Sequence, residues 1–224
     1  MKTPTLLAAA VLTAAAVTSS PPVRRRLLTW GATPGEAAGP LAGDDLLPDA
    51  GLISTRAITI AATPAAVWPW LVQMGSGRGG AYTYDWIENL FGLNMHSADE
   101  ILPQFQQLEV GDVLPLGTTG PDMRVEICDA ERTLAIRSTD GAWVWTFALR
   151  PETGGTRLIS RNRIRIPGAG RIRRFLYDLV MTPGSLVMER RMLLGIKQRA
   201  ERLGASRDAG PFGPDPSRAD SRSV

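Results

Sequence analysis

The sequence predicts an α+β protein in which a curved antiparallel sheet wraps around a long C-terminal helix. Between residues 112 and 166, apolar and polar residues alternate in five segments that short turn-forming stretches separate. Residues 182–203 then carry apolar side chains at the spacing of one helical face. Strands followed by a helix, rather than strands alternating with helices, indicate a layered α+β design.

The sheet is predicted to begin with a strand over residues 54–62, where Ile58 and Ile60 share one face. Thr63 and Pro64 are then the N-cap and first residue of a short helix that ends at Gly75. A second short helix is predicted over residues 84–91. Its predicted apolar side consists of Trp86, Ile87, Leu90 and Phe91.

The five later strands are predicted over residues 112–117, 122–130, 133–138, 142–150 and 155–166. Their alternation predicts which side chains share a face. The expected groups are Met123, Val125 and Ile127; Trp143, Trp145, Phe147 and Leu149; and Leu158, Ser160, Asn162 and Ile164, opposite Arg157, Ile159, Arg161, Arg163 and Arg165. A period of two with one polar face predicts a sheet that is covered on one side only.

The last helix is predicted to cover the apolar side of this sheet. Thr182 and Pro183 resemble a helix start, so the long helix is expected over residues 182–203 and a separate short helix over residues 171–181. Its apolar stripe includes Leu193, Ile196 and Ala200.

Four regions are predicted along the chain. Residues 1–26 contain the apolar run "LLAAAVLTAAAV" and are expected to be a cleaved signal peptide, a single-pass membrane anchor or an unstructured alanine-rich leader. Residues 27–53 form a lead-in along the surface, 54–203 the domain, and 204–224 a disordered tail. The protein is therefore expected to be membrane-associated or exported.

Composition excludes several kinds of site. The 224 residues include one cysteine, Cys128, and one histidine, His96, so an internal disulfide, a thiolate cluster and a multi-histidine metal site are impossible. We expect no cofactor and no metal. The formal net charge of +3, without a nucleic-acid motif, argues against a nucleic-acid partner.

Two motifs carry a family resemblance. The stretches "AAVWPWLVQMGSGRGGAYTYDWIENLFG" and "VMERRMLLGIKQRAER" are similar to an uncharacterised bacterial branch of the SRPBCC superfamily, which includes START, polyketide-cyclase and birch-pollen-allergen-like proteins. The resemblance covers residues 28–203 and implies the helix-grip fold. It also implies a cavity between sheet and long helix that holds a lipid, sterol or polyketide, and some members are enzymes. A shared fold does not establish a reaction.

The glycine-rich stretch at residues 74–92 is not a phosphate-binding loop, because it matches neither GxxxxGK[ST] nor a turn that follows a strand. One interpretation is a tight loop across the mouth of the sheet. The other is a mobile entrance that Arg78, Tyr82 and Tyr84 line.

The candidate ligand-binding residues combine this loop with the inner faces of the later strands and the last helix. They are Arg78, Tyr82, Tyr84, Trp86, His96, Met123, Trp143, Trp145, Ser160, Asn162, Met188 and Met192. Ser160 and Asn162 are informative because polar groups that face an apolar interior need partners. The tryptophans fit either a ligand wall or a solid core.

We therefore expect binding, and possibly transport, of a small hydrophobic ligand such as a lipid or polyketide. One alternative is a cyclase- or hydrolase-like enzyme that uses His96, or the pair Asp85 and Glu88, for acid–base chemistry. Another is a module that docks on an anionic membrane or a protein through the arginines of residues 157–174, which fit a solvated face equally well.

Overall fold

A computed structural model describes residues 20–117, 120–166 and 170–208, and the side chains of all of these except 171–179 and 206–208. Of the predicted leader (1–26), residues 1–19 lie outside the described residues, and so do residues 209–224 of the predicted tail (204–224). No helix within the described ranges combines the length and the apolar character needed to cross a membrane.

The described chain forms six strands and five α-helices, with two short 3-10 turns at Asp44–Leu46 and Pro103–Phe105. The helices are α1 (Pro21–Leu28), α2 (Pro34–Ala38), α3 (Pro64–Val72), α4 (Asp85–Leu90) and α5 (Arg171–Asp208). The strands are β1 (Leu52–Ile60), β2 (Val113–Leu114), β3 (Met123–Asp129), β4 (Thr133–Ser138), β5 (Trp143–Glu152) and β6 (Gly155–Ile164).

The strands form one antiparallel sheet in the order β1-β6-β5-β4-β3-β2. The first strand thus closes against the last, and α5 packs across the resulting inner face with α3. This arrangement is the helix-grip fold, so the predicted fold class is confirmed.

The main core lies between the inner sheet face and the C-terminal half of α5. Leu193, Ile196 and Ala200 of α5 are fully buried there, together with Phe147 and Leu158 of the sheet. The predicted helical stripe and the predicted inner faces of β5 and β6 are therefore confirmed.

Two details of the predicted elements are wrong. A β-bulge between Val125 and Ile127 shifts the register of β3, so that Cys128 packs on the core in place of Ile127. The last helix is also continuous from Arg171 to Asp208, with Pro183 inside it. An interior proline removes one backbone donor and crowds the carbonyl four residues before it, yet the helix continues past Pro183.

The predicted apolar side of α4 is mostly exposed rather than packed. Trp86, Leu90 and Phe91 are each more than 60% exposed, whereas Glu88 is 8% exposed. The short helix therefore turns a carboxyl group inward. Gly92 follows it with a positive φ of 73°, as expected of a helix stop.

The expectation of a sheet that is covered on one side only is also wrong. The lead-in crosses the outer face of the sheet, where Ile159 is 0% exposed and packs with Ala57, Ala148 and Leu41. The Trp30 carbonyl accepts a hydrogen bond from the Ala57 amide, which fixes the start of this segment.

Arginines of β6 hold the lead-in in place. Arg157 pairs with Glu36, and Arg161, which is 3% exposed, pairs with Asp44. Arg161 also donates to the carbonyls of Glu36 and Gly39. These two arginines therefore bind the chain's own backbone and acids rather than forming a solvated face.

The exit of β6 continues this pattern. The Arg163 guanidinium lies 3.3 Å from an Asp44 oxygen and donates to the carbonyls of Leu47 and Pro48. Arg165 pairs with Asp49, and both of these side chains are largely exposed.

Candidate functional site: a cavity between the sheet and the last helix

The glycine-rich loop positions one wall of the site. Gly75 and Gly80 exchange backbone hydrogen bonds of 3.0 and 3.1 Å, which closes a tight turn after α3. A Cβ atom on Gly80 would lie 2.7 Å from the His96 carbonyl oxygen, so only glycine allows the following connection to pack there. The loop then carries Thr83 and α4 to the interior.

Two of the residues that were predicted to line an entrance stabilise this loop instead. The Arg78 guanidinium donates to the carbonyls of Val72 and Met74 and stacks 4.3 Å from the centre of the Phe105 ring. Tyr82 is 1% exposed and donates from its hydroxyl to the Trp70 carbonyl at 2.9 Å.

A cavity of about 530 Å³ lies beyond this loop, between the inner sheet face and the N-terminal part of α5. Its wall is mostly apolar and draws on α1, β1, α4, β5, β6 and α5. The apolar wall includes Leu28, Leu52, Ile87, Met95, Leu116, Trp143, Trp145, Ile164, Met188 and Met192.

Five of the predicted ligand-binding residues lie at this wall, namely Trp143, Trp145, Asn162, Met188 and Met192. Ser160 is fully buried and bonds to two residues of the wall, Trp145 and Glu189. The structure thus brings together the predicted residues of β5, β6 and α5.

The other predicted residues lie elsewhere. Met123 is in the core, and Tyr84 lies beneath the Arg191 guanidinium at 5.8 Å from its ring centre. Trp86 is 67% exposed, and His96 is exposed in the connection after α4. None of these four residues lines the cavity.

A polar network that the sequence reading missed closes the inner end of the cavity. Arg56 of β1 and Glu189 of α5 form an ion pair, with 0% and 6% of their side chains exposed. Glu189 also accepts from the Ser160 hydroxyl at 2.7 Å and from the Asn162 amide at 3.1 Å. Burial raises the pKa of Glu189, and the nearby Arg56 guanidinium opposes that rise.

The same network fixes the two cavity tryptophans. The Trp143 indole N–H donates to the Asn162 amide oxygen at 2.8 Å, and the Trp145 indole N–H donates to the Ser160 hydroxyl at 2.9 Å. The indole rings stack with centroids 5.4 Å apart. Because the N–H groups are paired, the indoles contribute mainly apolar surface to the wall.

The other hydrogen-bond donors of the Arg56 guanidinium are paired as well. Its guanidinium donates to the Leu27 carbonyl, just after the predicted leader, and to the Ser185 hydroxyl. A signal for this network was present in the sequence. Arg56 shares one strand face with Ile58 and Ile60, and Glu189 precedes Leu193 by one helical turn. Both charged residues therefore fall on apolar faces.

The two members of the candidate catalytic pair, Asp85 and Glu88, lie in different environments. Asp85 accepts hydrogen bonds from the Ser97 amide at 2.8 Å and from the Ser97 hydroxyl at 2.6 Å, so it ties α4 to the next connection. Glu88 lines the cavity, and its burial raises the pKa of the carboxyl group, an effect that Asp85 reinforces.

Among the described residues, no cluster of three or more histidine, cysteine, aspartate or glutamate side chains could hold a metal ion. Asp140, which also lines the cavity, accepts from the Ser138 hydroxyl and the Ala142 amide, and these hydrogen bonds lower the pKa of its carboxyl group. The site therefore offers an apolar volume with a few fixed polar groups.

Comparison with known proteins gives likeness in fold only. No family model matches the chain, and no curated protein matches it. Protein MLL2253 from Mesorhizobium loti is a similar solved structure, with 18% identity, a TM-score of 0.42, and coverage of 67% of this chain and 98% of that one. The KanY protein has 16% identity, a TM-score of 0.46, and coverage of 67% and 97%.

The Polyketide_cyc-like protein Cgl2372 from Corynebacterium glutamicum has 16% identity, a TM-score of 0.33, and coverage of 70% of this chain and 91% of that one. Each of these solved structures is similar to the chain in fold only. At such low identities and TM-scores they carry no argument about function, which has to come from the site of this chain.

Proposed function

We propose that this protein binds a small, largely apolar molecule in the cavity between the sheet and α5. The observation that carries the proposal is the cavity itself, a volume of about 530 Å³ whose wall is mostly apolar. Binding sites for small molecules have this size and character, with a few polar groups that fix orientation.

The polar network supports binding in this place. Buried polar groups without partners would cost free energy, whereas Arg56, Glu189, Ser160 and Asn162 bond to one another and to their neighbours. The network therefore holds β1, β6 and α5 at a fixed separation. A rigid frame of this kind keeps an apolar volume from collapsing when no ligand fills it.

Of the acid–base candidates in the enzyme alternative, Glu88 lies at the cavity wall, but the other groups that the two alternatives used lie or bond elsewhere. His96, which the enzyme alternative used as a base, is exposed and outside the cavity wall, and Asp85 is engaged by Ser97. The docking alternative used the arginines of residues 157–174. Four of them, Arg157, Arg161, Arg163 and Arg165, pair with acids of the lead-in, and the side chains of residues 171–174 lie outside the described part of the chain.

Membrane association or export of the protein stays a prediction. It depends on residues 1–19, which lie outside the described part of the chain. Transport between membranes would add a cellular role to the binding proposed here.

Native mass spectrometry of the full chain purified from its own host tests the binding proposal. We expect a co-purifying small molecule that denaturation releases. Met188→Trp should abolish or strongly reduce this adduct, because Met188 lines the cavity and a larger side chain would fill it.

Val187→Trp is the matched control, since Val187 is the adjacent residue, is 53% exposed and does not line the cavity. The control should retain the adduct. Equal retention by both variants, with both folded, would place the molecule outside the cavity and contradict the proposal.

A further inference from the structure

Two polar side chains at the cavity wall have no hydrogen-bond partner within the described residues. They are Glu88, through Oε2, and Thr83, through its hydroxyl oxygen. Glu88 is 8% exposed, and both of these atoms are buried. The two side chains adjoin each other, and the Thr83 hydroxyl lowers the pKa of the Glu88 carboxyl group.

The other polar groups at the wall differ from these two. Asn162 and Glu189 bond to each other, Arg56 bonds to Glu189 and Ser185, and Asp140 accepts from Ser138. A buried polar atom without a hydrogen-bond partner costs free energy, because it has lost its water partners without replacement. A ligand that supplied the missing partners would recover that free energy, so Glu88 and Thr83 mark a point of recognition.

The charges around the cavity limit what this ligand can be. The acids at the described wall are Glu88, Asp140 and Glu189, whereas the basic residue at that wall, Arg56, is already paired with Glu189. A carboxylate or phosphate would enter an apolar space where the described wall residues include no unpaired cation to receive it, which is strongly unfavourable.

An ionic group on the ligand would lose its hydration in this apolar space, which favours an uncharged partner. Burial raises the pKa of the Glu88 carboxyl group, and the nearby Asp85 raises it further. The carboxyl oxygens of Glu88 accept hydrogen bonds, and the Thr83 hydroxyl both donates and accepts them. Together they complement a hydroxyl or carbonyl group.

We propose that Glu88 and Thr83 form a polar recognition site for an uncharged hydroxyl or carbonyl group on an otherwise apolar ligand. The apolar body of that ligand occupies the space beside Trp143 and Trp145. This inference rests on the proposed function and narrows it to neutral alcohols or ketones, as opposed to fatty acids, phospholipid headgroups or amines.

Calorimetric titration of the full chain at neutral pH with four compounds of one ring system tests this assignment. Naphthalene has no polar group, naphthol carries a hydroxyl, naphthoate carries an anion and naphthylmethylamine carries a cation. We expect naphthol to bind about tenfold more tightly than naphthalene, as one or two buried hydrogen bonds provide. Naphthoate and naphthylmethylamine should bind more weakly than naphthol.

Variants then locate the contact. Thr83→Val keeps the shape of the side chain, and Glu88→Leu removes the carboxyl group; each should remove most of the naphthol advantage while leaving naphthalene binding within about twofold. Glu88→Gln keeps an acceptor oxygen and the length of the side chain and should retain naphthol binding. If Glu88→Leu does not fold, Thr83→Val and Glu88→Gln still decide the matter.

The outcomes separate the two proposals. Naphthalene binding with no naphthol advantage, or a naphthol advantage that survives in Thr83→Val, would overturn the recognition site and leave the cavity proposal intact. Tighter binding of naphthoate or naphthylmethylamine than of naphthol would overturn the preference for an uncharged group. Failure of all four compounds to bind would contradict the proposed function itself.

Discussion

Arg56 on β1 and Glu189 on α5 form a buried ion pair that joins the first strand of the sheet to the last helix. The pair lies at the end of the cavity where β1, β6 and α5 meet, and Ser160 and Asn162 complete the coordination of the carboxylate. These contacts fix the spacing between sheet and helix, and they lead to the first prediction.

Removing one member of this pair should be far more costly than removing both. Glu189→Leu alone leaves the buried Arg56 without its counter-charge, and Arg56→Met alone leaves the buried Glu189 without its counter-charge. Each substitution should therefore lower the free energy of unfolding by about 3 to 5 kcal/mol. The double variant should lose much less than the sum of these two changes. Urea denaturation measures all three.

Gln198→Ala provides the control, because Gln198 is exposed on the same helix and should change stability by less than about 0.5 kcal/mol. Simple additivity of the two single variants would show that the charges are not coupled.

Arg161 in β6 and Arg165 just after it should contribute to the free energy of unfolding according to their burial. Arg161 is buried and binds two carbonyls and the Asp44 carboxylate beneath the lead-in, so Arg161→Ala should cost about 2 to 4 kcal/mol. Arg165 pairs with Asp49 in solvent, where salt and water screen the pair, so Arg165→Ala should cost far less than Arg161→Ala.

Chemical denaturation gives these two costs, and limited proteolysis between residues 30 and 50 reports directly on the lead-in. We expect faster cleavage there in Arg161→Ala only. Similar cleavage in both variants would refute the anchoring role of Arg161.

The alternating strands and the helical stripe were accessible from the sequence because each rests on a local period. Phe147 lies on the inward-facing alternate positions of β5, and Leu158 lies on those of β6. Leu193 and Ile196 lie three residues apart on one face of α5. The cover of the outer sheet face was harder to predict. It depends on Glu36, Asp44 and Asp49 meeting arginines more than a hundred residues away, and no local pattern encodes that pairing.

Only the part of the site that follows a local period in the sequence was predicted. Trp143, Trp145 and Asn162 follow from strand alternation, and Met188 and Met192 follow from helical spacing. Thr83 and Glu88 reach the cavity only through the conformation of the glycine-rich loop. Helical spacing placed Trp86 and Leu90 on the interior side of α4, whereas both are exposed, and Glu88 joins Ile87 at the cavity wall.

Acid should weaken the attachment of the lead-in through Glu36. Pairing with Arg157 lowers the pKa of Glu36 from its usual 4.5 to about 2. The carboxyl group is therefore ionised in the folded protein and protonated more readily in the unfolded chain, so its stabilising effect is complete above about pH 4.5 and is lost as the pH falls towards about 2.

Comparing the wild type with Glu36→Gln isolates this contribution from the other acids. The wild type should be the more stable at about pH 6, and the difference in unfolding free energy should shrink steadily below about pH 4.5. A difference that stays constant over this range would exclude an ionised Glu36 as its cause.

The glycines of the loop should respond unequally to alanine. Gly77 and Gly80 both have positive φ angles, of 67° and 71°. A Cβ atom on Gly77 would meet open space, so Gly77→Ala carries only the conformational cost of about 1 to 2 kcal/mol. A Cβ atom on Gly80 would meet the backbone of His96, so Gly80→Ala should cost at least about 1 kcal/mol more.

Thermal unfolding of the two variants ranks them, and naphthol titration shows whether the displaced loop also misplaces Thr83 and Glu88. Equal melting temperatures for Gly77→Ala and Gly80→Ala would mean that the loop does not pack against residue 96 as described.

The most direct measurement of the central claim is a titration of the full chain with naphthalene, followed by nuclear magnetic resonance of the tryptophan indole N–H groups. The chain has six tryptophans, of which Trp143 and Trp145 line the cavity and Trp86 is exposed outside it. A ligand in the cavity should shift the Trp143 and Trp145 signals in a saturable manner and leave the Trp86 signal in place. Shifts confined to Trp86, or no saturable shift at Trp143 and Trp145, would contradict the binding of apolar molecules between the sheet and the last helix.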